Sequence, residues 1–305
     1  MIQGESMNIL LTGATGFVGS ELAQRLAKHH RLTILSRNPA AAEQKLALAQ
    51  TRYIDSLQTP GLLEEIDAII NLAGEPIVAK RWSDEQKQRI CHSRWDITEQ
   101  LATLVRNSQK KPQVFLSASA VGFYGCQGPE PIDENATPHD EFSHRVCAQW
   151  EQKALAVADL TRVCIFRIGI VLGKDGGALA KMLPAFKLGL GGPIGHGRQG
   201  MSWIMREDLL RLIEFLLENE ACRGIYNATA PQPVSNRDFS KALGKALHRP
   251  ACLPAPALAL QLAMGEMSTL LTEGQFVLPV HAQADGFEFN YPEINHAMRT
   301  LFDKD

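Results

Sequence analysis

Short apolar runs alternate along this chain with segments whose apolar positions recur at helical spacing. The runs contain few polar side chains, which is typical of strands buried on both faces of a sheet. They predict strands at Asn8–Leu11, Leu32–Leu35, Asp67–Ala73, Val114–Ala118 and Arg162–Ile168, with a weaker strand near Tyr53. The segments between them predict helices at Phe17–Lys28, Leu62–Glu65, Asp84–Asn107 and Ser143–Ala158. Strands separated by helices in this order predict an α/β fold with a doubly wound parallel sheet.

The second part of the chain has a different texture. A glycine-rich loop, Gly189–Gly197, is followed by predicted helices at Glu207–Asn219, Asn236–Leu247, Pro256–Met264 and Tyr291–Phe302. We assign residues 7–175 to the main part of the α/β domain and residues 176–305 to a smaller, mainly helical C-terminal lobe, some of whose elements return to the sheet. This lobe is expected to cover the carboxyl edge of the sheet, where doubly wound proteins bind ligands. The leader Met1–Ser6 is expected to be an added extension or the product of an alternative start, and the fold prediction omits it.

Composition narrows the possible partners. The chain has 305 residues, with 31 Lys+Arg and 33 Asp+Glu, so the formal charge is −2 and no nucleic-acid partner is expected. The six cysteines form no CxxC pair, and we expect no metal site. No apolar stretch is long enough to span a bilayer, so we expect a cytoplasmic protein without a membrane partner. The sequence leaves open a monomer or a homodimer.

The strongest motif lies between the first predicted strand and the first predicted helix. Gly13 permits a tight turn, Gly16 lets the backbone approach a pyrophosphate, and Gly19 lets helix and strand pack closely. The N-terminus of the helix then offers free N–H groups to the phosphates. The loop residues expected to contact a dinucleotide are Gly13, Thr15, Gly16, Phe17 and Val18.

The end of the second strand indicates which dinucleotide is bound. Sites for NAD usually have an acidic residue there, whereas this chain has Ser36, Arg37 and Asn38. A guanidinium binds a 2′-phosphate with charge-assisted hydrogen bonds, so we expect NADP(H) as the cofactor. The alternative is that Arg37 is an ordinary solvated arginine.

These motifs resemble those of the extended short-chain dehydrogenase/reductases. The resemblance rests on Thr12-Gly-Ala-Thr-Gly-Phe-Val-Gly19, Asn71-Leu-Ala-Gly-Glu-Pro76, Arg81-Trp82-Ser, Ser93-Arg94, Gly189-Leu-Gly-Gly-Pro-Ile-Gly195 and Trp203-Ile. As a set they are similar to the atypical "epimerase family" branch, whose members carry a small C-terminal domain of unknown function. The resemblance covers the chain from Met7 onward. It implies an NADP(H)-binding Rossmann fold but supplies no substrate.

The resemblance also implies further cofactor contacts. By similarity, the backbone of Leu72, Ala73 and Gly74 runs along the adenosine and ribose. Ser117 is a further candidate for cofactor binding. Arg89 and Arg94 are on the following helix, and one or both are candidates to reach the phosphates. Arginines on a helix are also often solvated or paired with carboxylates.

Active members of this superfamily combine a serine with a Tyr-x-x-x-Lys pair that transfers the proton. By similarity, Ser119 takes the place of that serine, and Ser117 is the nearby alternative. Aligning Glu151 with the glutamate usual in the family puts Ser143 at the tyrosine position and Cys147 at the lysine position. The usual proton relay is therefore absent. The other candidates for proton transfer are Tyr124, His139 and His144, each of which also has an ordinary structural interpretation.

Two functions remain from the sequence, and both use the dinucleotide. The first is an NADP(H)-dependent oxidoreductase or epimerase-like enzyme, with hydride transfer to or from a small carbonyl, carbinol or nucleotide-sugar substrate near Ser119. The second is a non-catalytic NADP(H)-binding sensor or regulator that has lost the Tyr/Lys pair. A purely structural cofactor is a third and weaker alternative. Arg167, in an otherwise apolar strand, must find polar partners in either case.

Overall fold

The computed structural model describes residues 6–78 and 80–303, so most of the leader lies outside the described residues. Its strands are β1 (Asn8–Thr12), β2 (Arg31–Leu35), β3 (Arg52–Ile54), β4 (Ala68–Asn71), β5 (Val114–Ala120), β6 (Pro131–Ile132), β7 (Arg162–Ile168), β8 (Ile170–Leu172), β9 (Gly200–Met201), β10 (Trp203–Met205), β11 (Gly224–Ala228), β12 (Val234–Ser235) and β13 (Phe276–Val277). Its α-helices are α1 (Gly19–Leu26), α2 (Pro39–Leu46), α3 (Asp84–Asn107), α4 (Phe142–Leu155), α5 (Gly177–Lys187), α6 (Arg206–Glu218), α7 (Asn236–Ala246), α8 (Ala257–Met264), α9 (Thr269–Thr272), α10 (Val280–Ala284) and α11 (Ile294–Phe302). Three 3₁₀ turns lie at Leu62–Glu65, Val121–Tyr124 and Gly265–Ser268.

Seven strands form one parallel sheet in the order β3-β2-β1-β4-β5-β7-β11. Its central strands are buried on both faces, as the apolar runs predict. Helices α1 and α6 cover one face, and α3 and α4 cover the other. The predicted doubly wound Rossmann fold is confirmed.

The edge strand β11 comes from the second part of the chain and pairs with β7. Strand β11 was not predicted, because its sequence, Gly224-Ile-Tyr-Asn-Ala228, is short and mixed in polarity. Beyond it, α5, α7 and α11 surround a second apolar core that contains Trp203 and Phe239. Within the described residues, no helix has both the length and the apolar character needed to span a membrane.

Candidate functional site

The glycine loop between β1 and α1 has the shape of a phosphate cradle. Gly13 has a φ of +71°, and a Cβ there would be 2.5 Å from the carbonyl oxygen of Leu72. A Cβ at Gly19 would be 2.2 Å from the oxygen of Gly13. These two glycines are therefore required by the fold of the chain itself.

Gly16 differs from the other two glycines. A Cβ there would meet only the oxygen of Gly13, at 3.2 Å, and both Thr15 and Gly16 are exposed. The N-cap residue of α1, Val18, offers no side-chain acceptor to the first turn, so N–H groups there remain available to a ligand. These features fit a bound pyrophosphate.

The side chain of Phe17 packs against the turn that precedes α5. The guanidinium of Arg206 lies 4.6 Å above its ring, and a Cβ at Gly176 would come within 2.4 Å of it. Arg206 is bound in turn by Glu21 at 2.6 Å and Asp175 at 2.9 Å. Packing of Phe17 therefore fixes the loop against the turn that precedes α5.

The end of β2 presents a positive charge and no carboxylate. The Oγ of Ser36 accepts a hydrogen bond from the backbone N–H of Asn38 at 3.2 Å. The side chain of Asn38 caps α2 by accepting from Ala41 N at 3.1 Å. Arg37 between them is exposed. The three residues form a rigid corner from which one guanidinium projects.

Lys45 is a cationic residue that the sequence analysis missed. It lies in α2, a helix that was not predicted, and its Nζ donates to the carbonyl oxygen of Thr15 at 2.8 Å. The signals that would have revealed it are the Asn38 cap and Pro39 at the first helical position. Lys45 adds a second positive charge to the edge of the cradle.

Buried hydrogen bonds shape the segment that follows β4. Thr12 Oγ1 donates to Asn71 Oδ1 at 2.7 Å and accepts from the N–H of Ala73 at 3.2 Å. Asn71 also donates to Thr98 at 2.9 Å and, more weakly, to Ser117 at 3.4 Å. Ser117 is fully buried, and its side chain contacts Asn71.

The two candidate arginines of α3 have different surroundings. Arg89 pairs with Glu85 on the exposed face of the helix. Arg94 donates to the carbonyl oxygens of Glu75 at 2.9 Å and Ile90 at 3.0 Å, and its guanidinium carbon would be 3.0 Å from a Cβ at Gly74. Burial lowers the pKa of Arg94. It is thus a half-buried cation against the Leu72–Gly74 segment.

A buried ion pair forms the centre of the predicted catalytic region. Arg167 donates to both carboxylate oxygens of Glu151, at 2.9 and 2.8 Å, and their side chains are only 3% and 5% exposed. Ser119 Oγ donates to the same carboxylate at 2.6 Å. Arg167 thereby finds the polar partners that its place in an apolar strand requires.

Tyr124 belongs to the same network. Its hydroxyl donates to Asn227 Oδ1 at 2.7 Å and accepts from Arg167 at 2.9 Å. Burial raises the pKa of Tyr124 to about 12. Ser119 and Tyr124 are both buried, at 2% and 0% exposure, and their hydroxyl protons already have protein acceptors.

Ser143 and Cys147 lie one turn apart on α4 and face the turn after β5. A Cβ at Gly122 would be 3.2 Å from Ser143 Cβ and 3.9 Å from Cys147 Sγ. Burial raises the pKa of the Cys147 thiol to about 11, with a contribution from the Glu151 carboxylate. Cys147 is therefore a neutral thiol at physiological pH.

The two candidate histidines do not join this network. His144 forms a hydrogen bond of 2.6 Å through Nδ1 with the carbonyl oxygen of Phe123, against whose ring it packs. His139 is exposed, and its backbone N–H donates to the carbonyl oxygen of Tyr124. The structure gives each a structural contact, and a role of either in proton transfer stays a prediction.

Comparison with known proteins assigns the family. The profile of the "NAD dependent epimerase/dehydratase family" matches residues 9–229. The chain belongs to this family. A second profile, a domain of unknown function (DUF1731), matches residues 255–301. The resemblance inferred from the motifs is confirmed in both parts of the chain.

Three relatives illustrate the match. The chain is 42% identical over 301 residues to "Epimerase family protein SDR39U1 homolog, chloroplastic" of Arabidopsis thaliana, covering 97% of this chain and 86% of that protein. It is 38% identical over 299 residues to "Epimerase family protein YfhF" of Bacillus subtilis, covering 97% and 98%. The crystal structure of human epimerase family protein SDR39U1 with NADPH superposes with a TM-score of 0.89 at 33% identity, covering 97% and 99%.

Proposed function

We propose that this chain is an NADP(H)-dependent oxidoreductase or epimerase-like enzyme that acts on a small carbonyl or carbinol compound. The observation that carries the proposal is the exposed cradle at Thr15 and Gly16, bordered by the cations Arg37 and Lys45 without a carboxylate at the end of β2. The NADPH in the structure of the human relative supports the same cofactor. When bound, the nicotinamide would give hydride to, or take it from, a carbon of the substrate.

Each of these residues would have a separate role in the proposed site. The free N–H groups at the start of α1 bind the pyrophosphate, and Arg37 binds the 2′-phosphate. Arg94 supplies a fixed positive charge beside α4, where its guanidinium lies 5.3 Å from the ring centre of Trp150, three residues after Cys147. Cys147 is the position that is a lysine in the usual relay. The ion pair of Glu151 and Arg167 orients Ser119. Because the general acid/base is usually worth a factor of about 10²–10⁴, we expect slow turnover.

A non-catalytic NADP(H)-binding sensor or regulator is the second candidate. It is favoured by the buried, hydrogen-bonded hydroxyls of Ser119 and Tyr124 and by the neutral thiol of Cys147. The two functions share the cofactor site and differ only in whether hydride is transferred between the cofactor and a substrate.

The test follows the loss of NADPH absorbance in the presence of a panel of aldehydes, ketones and nucleotide-sugars. If the chain is an enzyme, we expect at least one class of compound to oxidise NADPH slowly. Gly16→Val should abolish this oxidation, because a branched side chain then occupies the cradle. Gly128→Val is the matched control, since a Cβ at Gly128 has no neighbour within 4 Å. Tight NADPH binding without turnover of any compound would favour the sensor or regulator. Turnover that survives Gly16→Val would contradict the assignment of the cofactor site to the cradle.

A cytoplasmic location stays a prediction. The domain division at residue 175 also stays a prediction. The name of the Arabidopsis relative places that protein in the chloroplast.

A further inference from the structure

Five leucines are exposed on the described part of the C-terminal lobe. They are Leu188 (74%), Leu190 (62%), Leu253 (50%), Leu258 (67%) and Leu262 (73%), and we call them the leucine patch. Leu258 and Leu262 are four residues apart on α8, so they share one face of that helix. None of the eight residues of α8, Ala257-Leu-Ala-Leu-Gln-Leu-Ala-Met264, is buried. An apolar helix is normally covered by something, and a contiguous exposed patch marks an interaction surface.

Backbone contacts join the segments that carry these leucines. The loop after α5 and the segment before α8 form two hydrogen bonds, Ala255 N to Pro193 O and Gly195 N to Ala255 O, each of 2.9 Å. Arg249 Nε donates to Lys187 O at 3.0 Å. A Cβ at Gly195 would lie 3.4 Å from that of Ala257, the first residue of α8. The leucine patch is therefore one surface built from two paired segments.

The segments that carry the leucines, residues 187–198 and 245–265, contain basic residues and no acidic one. The sequence contains no Asp or Glu from residue 176 to 206 or from residue 239 to 265, whereas these stretches contain seven Lys and Arg. Lys187, Lys245 and Arg249 are exposed, and within residues 6–78 and 80–303 none of them forms a salt bridge. The chain as a whole has a charge of −2, so this positive region is local.

We infer that the leucine patch docks on an anionic lipid surface, with its leucines among the acyl chains and its basic rim among the headgroups. Apolar side chains flanked by Lys and Arg are the usual composition of such interfacial elements. A symmetric dimer through the patch would place the basic rim of one copy on that of the other. The patch also has no exposed Trp, Tyr or Phe of the kind that anchors protein interfaces. Adsorption to a lipid surface is independent of the proposed function. It differs from the expectation from the sequence, which was that the protein has no membrane partner.

The experiment is co-sedimentation of the full chain with phosphatidylcholine vesicles, with and without phosphatidylglycerol, over a range of salt. We expect binding only to the anionic vesicles, weakening as salt rises. Leu258→Ser with Leu262→Ser should reduce the partition coefficient about tenfold or more, from the loss of two buried leucines. Lys187→Glu should reduce it by about fivefold or more. Leu160→Ser and Lys28→Glu, which change exposed residues outside the patch, are the matched controls and should have no effect.

Titration of each variant with NADPH checks that its fold and cofactor site are intact. Equal binding to neutral and anionic vesicles, or no binding to either, would overturn the proposal. A concentration-dependent dimer that the leucine variants abolish would also overturn it, in favour of a second copy as the occupant.

Discussion

Glu151→Gln tests whether the buried network around Ser119 holds the fold together. The substitution keeps the shape of the side chain but removes the charge that compensates Arg167, whose side chain is 3% exposed. Breaking a buried ion pair from one side costs about 3–5 kcal/mol. Because a chain of 305 residues unfolds with an entropy of about 0.64 kcal/mol/K, a loss of about 4 kcal/mol lowers the midpoint of thermal unfolding by about 6 °C.

Two further variants separate the ion pair from its neighbours. Ser119→Ala removes one hydrogen bond to the carboxylate and should cost about 1.5 kcal/mol, or about 2 °C. The double change Glu151→Leu with Arg167→Met removes both charges and should recover most of the loss, because apolar replacements of a buried pair are often neutral. Scanning calorimetry or circular dichroism measures all three. A Glu151→Gln midpoint within about 1 °C of the wild type, or a double variant no better than the single one, would refute this reasoning.

Three other predictions concern the site and its supports. In mildly alkaline buffer, alkylation mapped by mass spectrometry should label exposed Cys252 quickly and leave Cys147 unlabelled, because burial raises its pKa to about 11; rapid labelling of Cys147 would contradict the assignment. Ser143→Tyr with Cys147→Lys should restore little turnover unless Arg94 is also replaced, because Arg94 already places a positive charge beside α4 and a second one would be repelled. Full recovery without replacing Arg94 would contradict this reasoning. A hydrogen bond from a lysine of α4 lowers the pKa of Glu99 below its usual 4.5, so the stabilisation is present above that pH and is lost as the pH falls through the lowered value. The small stability difference between wild type and Glu99→Gln should therefore vanish in acid, and a difference that grows there would contradict the sign.

The parts of the fold that were predicted are those fixed by local pattern. The bounds of α3 agree with the prediction, because Ser83 accepts from Gln86 N and caps the helix. Strand β7 was predicted because its residues from Val163 to Phe166 are all apolar. By contrast, β11 depends on pairing with β7, and α2 is a short helix whose alanines carry little periodic signal. Tertiary context determines such elements, so a single sequence does not reveal them.

The candidate site shows the same division. The glycine loop and the absence of an acidic residue after β2 were readable from spacing alone. The sequence indicated that Arg167 needs partners, but the choice of Glu151, 16 residues away on α4, depends on the packing of that helix against the sheet. Lys45 was missed because its approach to Thr15 requires α2 to lie beside the loop.

The central claim is that the cradle binds NADP(H) with Arg37 on the 2′-phosphate. Isothermal titration of wild type and Arg37→Ala with NADPH and NADH tests it most directly, with Arg52→Ala, an exposed arginine on neighbouring β3, as the control. We predict that the wild type prefers NADPH and that Arg37→Ala weakens NADPH alone, by about 1–3 kcal/mol for a charge-assisted contact. Equal affinities of the wild type for the two cofactors, or an equal loss of both in Arg37→Ala, would contradict the claim.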